Sequence, residues 1–158
     1  AGTIPVFGDK VLLCKRAIEP RHGFWTLPAG FMENQETTTE AAIRETLEEA
    51  EATVTIDGLF SVLNVPQIDQ VHMFFLATMK NEQYGAGQES LETLLFSEDD
   101  IPWDELAFPT VKKTLKLYFE DRKRGRFVQK KPEDTPTNYD VHVADIIREP
   151  RDVPPYLA

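Results

Sequence analysis

The chain has 158 residues and a formal net charge of −10 at pH 7. This length fits one domain with an adequate core. The acidic charge argues against sequence-independent binding of a nucleic-acid polymer, which requires a basic surface. No apolar run approaches the roughly 20 residues of a membrane-spanning helix, so we expect no membrane partner. With Cys14 as its single cysteine, the sequence cannot form an internal disulfide or a cysteine-based zinc site.

The apolar runs of the chain predict strands separated by turns and loops. Two of them flank Gly8-Asp9 and indicate a β-hairpin. The run Val71–Ala77 is nearly continuous in apolar residues, which is typical of a central strand. The predicted strands cover Thr3–Phe7, Lys10–Lys15, Ala52–Ile56, Leu59–Val65, Val71–Met79 and Leu91–Phe96, and the predicted loops cover Arg16–Trp25 and Asn81–Glu89.

Two helices are predicted from capping and periodicity. Thr37 and Glu40 have the spacing of a capping box, so the first helix begins there and ends near residues 50–51. Apolar residues recur at helical spacing after Pro109, and this second helix ends near Arg124-Gly125. Two helices and a sheet of this size predict an α/β sandwich.

The C-terminal segment differs in composition from the rest. Residues 126–158 contain many prolines and charges, which by themselves favour disorder. The stretch Tyr139–Ile147 is nevertheless apolar enough to pack. We therefore expect one domain over residues 1–125, with residues 126–158 forming an extension packed on the domain or on a partner subunit.

Three glutamates of the first helix converge on one side. At 100° per residue, Glu45, Glu48 and Glu49 fall within about a third of the circumference, and the pattern places Ile43, Leu47 and Ala50 toward a core. Like charges at this spacing repel each other, and a hard divalent cation with oxygen ligands is the usual compensation. For the glutamates alone, a solvated acidic face is the alternative.

The glutamates belong to a longer pattern of fixed residues. It comprises Gly30, Glu36, Arg44, Glu45, Glu48 and Glu49, preceded by Trp25-Thr26-Leu27-Pro28-Ala29. This pattern resembles the Nudix box of the Nudix hydrolases, and six residues at fixed spacing are a specific signal. The resemblance covers about residues 10–124 and implies an α/β/α sandwich with a mixed central sheet. The chain departs from the family at Glu51, usually glycine, and at Thr46, usually aliphatic.

The resemblance implies cleavage of a pyrophosphate bond in a nucleotide with the help of Mg²⁺ or Mn²⁺. The implied metal ligands are the side chains of Glu45, Glu48 and Glu49 and the backbone carbonyl of Ala29. Arg44 is implied to pair with Glu36 and to orient the carboxylates.

The catalytic base stays open between two kinds of residue. Family members use either a glutamate of the box, here Glu48 or Glu49, or a carboxylate from a later loop. In that loop Glu89 is the first candidate, as base or as a further metal ligand, and Glu92 is the second. Each loop residue is as well explained as a plain surface residue.

Residues outside the box would select the substrate. Trp25 and Phe31 flank the box and could stack on an adenine or flavin ring, with core packing as an equal alternative. Arg16 is a further candidate for substrate binding. Pro66 lies near the position of a proline that marks many ADP-ribose pyrophosphatases.

Further segments, Lys10–Arg16, Glu89–Glu92 and Ile101–Phe108, resemble a bacterial and plastid Nudix group that includes the plant FAD pyrophosphatases. This implies cleavage of FAD to FMN and AMP, or of ADP-ribose to AMP and ribose 5-phosphate. It also implies a homodimer, and the chain begins as if an N-terminal zinc ribbon common in that group had been removed. We expect a cytoplasmic protein, or a plastid one if the source is a plant or alga. The alternatives are a non-catalytic nucleotide-binding regulator and a pyrophosphatase acting on NADH or nucleoside triphosphates.

Overall fold

The computed structural model describes residues 1–126 and 141–146. Within these residues the strands are β1 (Gly2–Phe7), β2 (Lys10–Arg16), β3 (Trp25–Thr26), β4 (Val54–Val65), β5 (Gln70–Met79), β6 (Ser90–Phe96) and β7 (His142–Asp145). The α-helices are α1 (Thr38–Ala50) and α2 (Pro109–Lys123). Short 3₁₀ turns lie at Pro66–Ile68, Glu98–Asp100 and Trp103–Glu105.

The strands form one mixed sheet with β5 near its centre. β5 pairs with β1 in parallel and with β4 antiparallel. β2 pairs antiparallel with β1 and β3 and, along its other edge, with β6. The predicted N-terminal hairpin and the central position of the Val71–Met79 strand are therefore confirmed.

The two helices cover opposite faces of the sheet. Ala50 of α1 packs in one apolar cluster with Leu12 and Ala77. Leu115 and Phe119 of α2 pack in a second cluster on the other face, which includes residues of β1, β2 and β5. The predicted α/β/α sandwich with a mixed central sheet is confirmed.

Two expectations about strands were wrong. The predicted strands Ala52–Ile56 and Leu59–Val65 are one strand, β4, which begins only at Val54. Its register against β5 shifts between Ile56 and Gly58 and again between Leu59 and Ser61. Bulges of this kind let a strand continue through a glycine that reads as a break in the sequence. The segment expected to be only a loop before the box ends in the short strand β3, which pairs with Cys14 and Lys15 of β2.

Helix α1 begins with the predicted capping box. The Thr37 hydroxyl accepts from the Glu40 backbone N–H, and a Glu40 carboxylate oxygen accepts from the Thr37 N–H. The buried stripe of the helix is, however, only partly the predicted one. Ala50 is buried as predicted, whereas Ile43 and Leu47 are 38% and 53% exposed. The small side chains Ala41, Ala42 and Thr46 face the sheet in their place. Small side chains let the helix lie close to the sheet, and this places its neighbouring glutamates at the sheet surface.

Both departures from the family pattern have a local structural result. Glu51 ends the helix in the left-handed region, with φ 49° and ψ 34°, and its N–H donates to the Leu47 carbonyl. Thr46 is fully buried, and its hydroxyl donates to the Ala42 carbonyl at 2.7 Å. Since that donation uses its only proton, Thr46 accepts from the hydroxyl of Thr3 at 2.7 Å. The polar side chain in the aliphatic position is thereby satisfied.

Part of the C-terminal segment lies on the sheet edge. β7 pairs in parallel with Ser61–Asn64 of β4, and the His142 ring contacts the buried carboxylate of Asp121 at 2.8 Å. The remaining residues of the expected extension, 127–140 and 147–158, fall outside the described residues. The division into a domain of residues 1–125 and an extension stays a prediction. Within the described part of the chain, no helix is long and apolar enough to cross a membrane.

Candidate active site

The segment between β3 and α1 lies directly against two glutamates of the helix. The Ala29 N–H donates to Glu49 Oε2 at 3.1 Å. Gly30 faces Glu45 so closely that a Cβ at position 30 would lie 2.3 Å from the Glu45 Cδ. A glycine is therefore required here for close approach of the backbone to the carboxylate.

Arg44 joins the loop to the helix. Its Nε and Nη2 donate to the two carboxylate oxygens of Glu36 at 2.7 and 3.0 Å, a bidentate pair. Its Nη1 donates to Glu45 at 2.8 Å and to Glu48 at 3.2 Å. The hydrogen bonds from Arg44 hold the pKa of Glu36 at about 2, far below its usual value. The pairing of Arg44 with Glu36 is as the resemblance implies.

Glu49 is the most strongly perturbed carboxyl group of the site. Burial raises its pKa to about 8, and the neighbouring Glu45 adds to this rise. The N–H of Ala29 and the guanidinium of Arg16 act in the opposite direction. Two carboxylates that lie together in a desolvated place favour a bound cation or a shared proton.

The donor set fits a hard divalent cation in its chemistry. Carboxylate oxygens and a backbone carbonyl are the ligands that Mg²⁺ takes in proteins. Within residues 1–126 and 141–146, however, no group of three or more His, Cys, Asp or Glu side chains stands close enough to hold an ion. Arg44 draws Glu45 and Glu48 to itself, and the 57% exposed side chain of Glu48 has room to turn. Ion binding would therefore require rotation of these side chains.

A cleft of about 740 Å³ opens beside the box. Its rim includes Phe31, which is 78% exposed, and Arg16, whose guanidinium lies 5.0 Å from the ring of Phe108. The residues that line the cleft are Ala1, Arg16, Pro20, Thr26, Leu27, Ala29, Gly30, Phe31, Met32, Thr38, Ile68, Asp69, Gln70, Val71, His72, Met73, Phe74, Phe108, Thr110 and Val111. The size and the largely apolar wall suit a nucleotide-sized ligand.

Two predicted substrate residues do not line this cleft. Trp25 is only 6% exposed and packs edge-on against Phe96, with ring centroids 5.0 Å apart. It is a core residue. β3 pairs with β2, and the Trp25 side chain packs in the apolar cluster that contains Leu115 and Phe119 of α2. Pro66 begins the exposed 3₁₀ turn after β4, and Ile68 and Asp69 of that turn reach the cleft in its place.

Glu89 is close to the box although it is distant in sequence. A small cavity of about 10 Å³ is lined by Glu89 together with Glu49, Arg16 and Cys14. The loop that carries Glu89 is fixed to the end of α1, because Gly87 N–H and Ser90 Oγ both donate to the Glu49 carbonyl, at 3.1 and 2.8 Å. Glu92 points away from this place in strand β6, opposite Lys15, and is exposed.

Sequence reasoning missed the far wall of the cleft. Gln70, His72 and Met73 come from the beginning of β5, and Phe108 and Thr110 from the beginning of α2. The polar Gln70 and His72 at the beginning of a largely apolar strand are the sequence signal that could have indicated this wall.

The helix that carries the glutamates, the close Ala29-Gly30 turn and the cleft lie side by side. The family model described as the NUDIX domain matches residues 1–118. The chain belongs to the Nudix family.

Known proteins support this assignment. A Nudix hydrolase structure from Nitrosomonas europaea is 47% identical, covers 92% of this chain and 76% of its own, and superposes with a TM-score of 0.81. An ADP-ribose pyrophosphatase of Methanocaldococcus jannaschii is 32% identical over an aligned region that covers 63% of this chain. The same region spans only 60% of the length of that relative. An ADP-ribose pyrophosphatase structure from Streptococcus suis, 16% identical with a TM-score of 0.63, covers 92% of this chain and 96% of its own and shares the fold.

Proposed function

We propose that the protein is a divalent-metal-dependent hydrolase that cleaves the pyrophosphate bond of ADP-ribose, releasing AMP and ribose 5-phosphate. The observation that carries the proposal is the approach of Glu45 and Glu49 to the Ala29-Gly30 backbone at the edge of a nucleotide-sized cleft. FAD, with FMN and AMP as products, is the second substrate of the proposal. The similarity to the Methanocaldococcus jannaschii ADP-ribose pyrophosphatase supports ADP-ribose as the first substrate of the proposal.

The proposed metal ligands are Glu45, Glu48, Glu49 and the carbonyl of Ala29, with Mg²⁺ or Mn²⁺ as the ion. When bound, the ion supplies neutralisation of phosphate charge and lowers the pKa of the attacking water. Glu89 is a proposed further ligand or the base, which is supported by its place beside Glu49.

Arg44 and Arg16 have separate proposed roles. Arg44 orients the box carboxylates through its bonds to Glu36 and Glu45. Arg16 is a cation at the cleft wall, held by a bond from its Nε to the Pro20 carbonyl at 2.8 Å, and it would contact a substrate phosphate. Phe31 would stack on a base at the rim.

The test is a substrate panel with Mg²⁺ and Mn²⁺, with products separated by chromatography. We expect ADP-ribose to yield AMP and ribose 5-phosphate, and Glu45→Gln to lower turnover by about 100-fold or more without loss of the fold. Glu120→Gln on the exposed face of α2 is the matched control, since it makes the same change of charge far from the cleft. Near-wild-type turnover in Glu45→Gln would refute the ligand role.

The panel also separates the alternatives. Release of inorganic pyrophosphate from nucleoside triphosphates would favour a nucleoside triphosphate pyrophosphatase over the proposed function. Tight binding of ADP-ribose without turnover in the presence of either metal would favour a non-catalytic nucleotide-binding regulator. The implied homodimer stays a prediction, which sedimentation equilibrium would test.

A further inference from the structure

The far wall of the cleft carries a chain of three polar side chains that the proposed chemistry does not use. The imidazole Nε2 of His72 lies 2.8 Å from Gln70 Oε1, and its Nδ1 lies 3.0 Å from Thr110 Oγ1. Gln70 and His72 stand two residues apart on β5, so they share one face of the strand. All three residues line the cleft.

The bonding pattern determines which atom carries each proton. Burial lowers the pKa of His72, so the ring is neutral and has one N–H. The Gln70 carbonyl oxygen can only accept, and this places the proton on Nε2 of His72. Nδ1 then accepts from the Thr110 hydroxyl, which is buried at the start of α2.

One donor group is left over by this arrangement. The Gln70 oxygen is used by His72, and among the described residues none is found to accept from the Gln70 amide nitrogen. The neighbouring residues of this wall are the apolar Ile68, Met73 and Phe74 and the exposed Asp69. A directed donor in a largely apolar cleft is the arrangement that gives a pocket its orientation and specificity.

We propose that Gln70 is a specificity-determining residue, whose amide NH₂ donates to an acceptor atom on the edge of the substrate's base, and that His72 and Thr110 hold it in that orientation. The acceptor is a carbonyl oxygen or an unprotonated ring nitrogen of a planar heteroaromatic ring. This inference rests on the proposed function, since the base is that of the ADP-ribose or FAD substrate. His72 and Thr110 are positioning residues, because they act through Gln70.

Gln70→Glu tests the donor directly. The carboxylate keeps the acceptor for His72 but presents no N–H to the base, so KM for ADP-ribose should rise by about 10-fold or more while kcat changes little. Gln67→Glu is the matched control, an exposed residue outside the cleft with the same charge change, and its KM should equal that of the wild type. Equal KM values in both variants and the wild type would overturn the proposal.

Thr110 tests the positioning. Thr110→Val removes the donor to Nδ1 of His72, so the amide can reverse and KM should rise. Thr110→Ser keeps the hydroxyl and should restore the wild-type KM. Nitrogen-15 NMR of the imidazole, assigned with His72→Asn, should show a protonated Nε2 in the wild type and in Thr110→Ser only. A wild-type Nδ1–H tautomer, or wild-type KM in Thr110→Val, would refute the role of the pair.

Isothermal titration calorimetry with ADP-ribose in EDTA distinguishes this inference from the proposed function. If the wild type neither hydrolyses nor binds ADP-ribose, the proposed function fails. If the wild type does both and Gln70→Glu binds as tightly, only the role of Gln70 fails. A Kd raised about 10-fold or more in Gln70→Glu, with Gln67→Glu unchanged, supports the inference.

Discussion

The close approach of Gly30 to Glu45 gives the most direct test of the site. In Gly30→Ala the new methyl group would lie 2.3 Å from Cδ and 2.5 Å from Oε1 of Glu45, whereas ordinary contact begins at 3.4 Å. The carboxylate must therefore retreat by about 1 Å, and a misplacement of that size in an active site costs about 100-fold in rate. This corresponds to about 2.7 kcal/mol of lost transition-state stabilisation. Since only the end of a flexible side chain must move, the free energy of unfolding should change by less than about 1 kcal/mol.

The assay is AMP release from ADP-ribose over a range of Mg²⁺ concentrations, alongside thermal unfolding. Gly85→Ala is the matched control, because its methyl group would lie 2.4 Å from Oε2 of Glu51, also a flexible carboxylate but outside the cleft. We expect kcat/KM to fall and the Mg²⁺ requirement to rise in Gly30→Ala alone. Wild-type activity in Gly30→Ala would refute the ligand role of Glu45, and an equal loss in Gly85→Ala would show that the effect is not specific to the site.

Three further predictions concern stability and reactivity. Glu51→Gly should raise the free energy of unfolding by about 1 kcal/mol relative to Glu51→Ala in urea titrations, since both remove the charge and only glycine relieves the left-handed conformation; equal stability of the two variants would contradict this. Burial raises the pKa of Cys14 to about 12, so a thiol reagent at pH 8 should label the unfolded but not the native protein, and rapid labelling of the native form would be the contrary result. Burial lowers the pKa of His72, so the unfolded state binds its proton more tightly and stability should fall as the pH drops below about 6.5. Urea titrations at pH 7 and pH 5 should show that the free energy of unfolding falls less in His72→Asn than in the wild type. An equal fall in the two proteins would refute the assignment of this pH dependence to His72.

The box could be predicted from the sequence because its parts are local. The capping box of Thr37 and Glu40 fixes the start of α1 through bonds within one turn. The spacing of Glu45 and Glu49 then fixes their common side of the helix. Which side of the helix is buried, in contrast, could not be predicted from local sequence. Ile43 and Leu47 form a more hydrophobic stripe than Ala42 and Thr46, yet the smaller side chains of Ala42 and Thr46 pack against the sheet.

The sequence by itself determined the layers of the fold and the acidic box, since hydrophobic periodicity, caps and side-chain spacing act over a few residues. Only the tertiary structure decided which residues meet at the cleft. Trp25 became a core residue because Phe96 of β6 lies against it. Gln70 and His72 became part of the cleft because the start of β5 meets Thr110 at the start of α2. Such contacts depend on how strands pair and helices pack across long sequence separations, and no pattern within one segment carries that information.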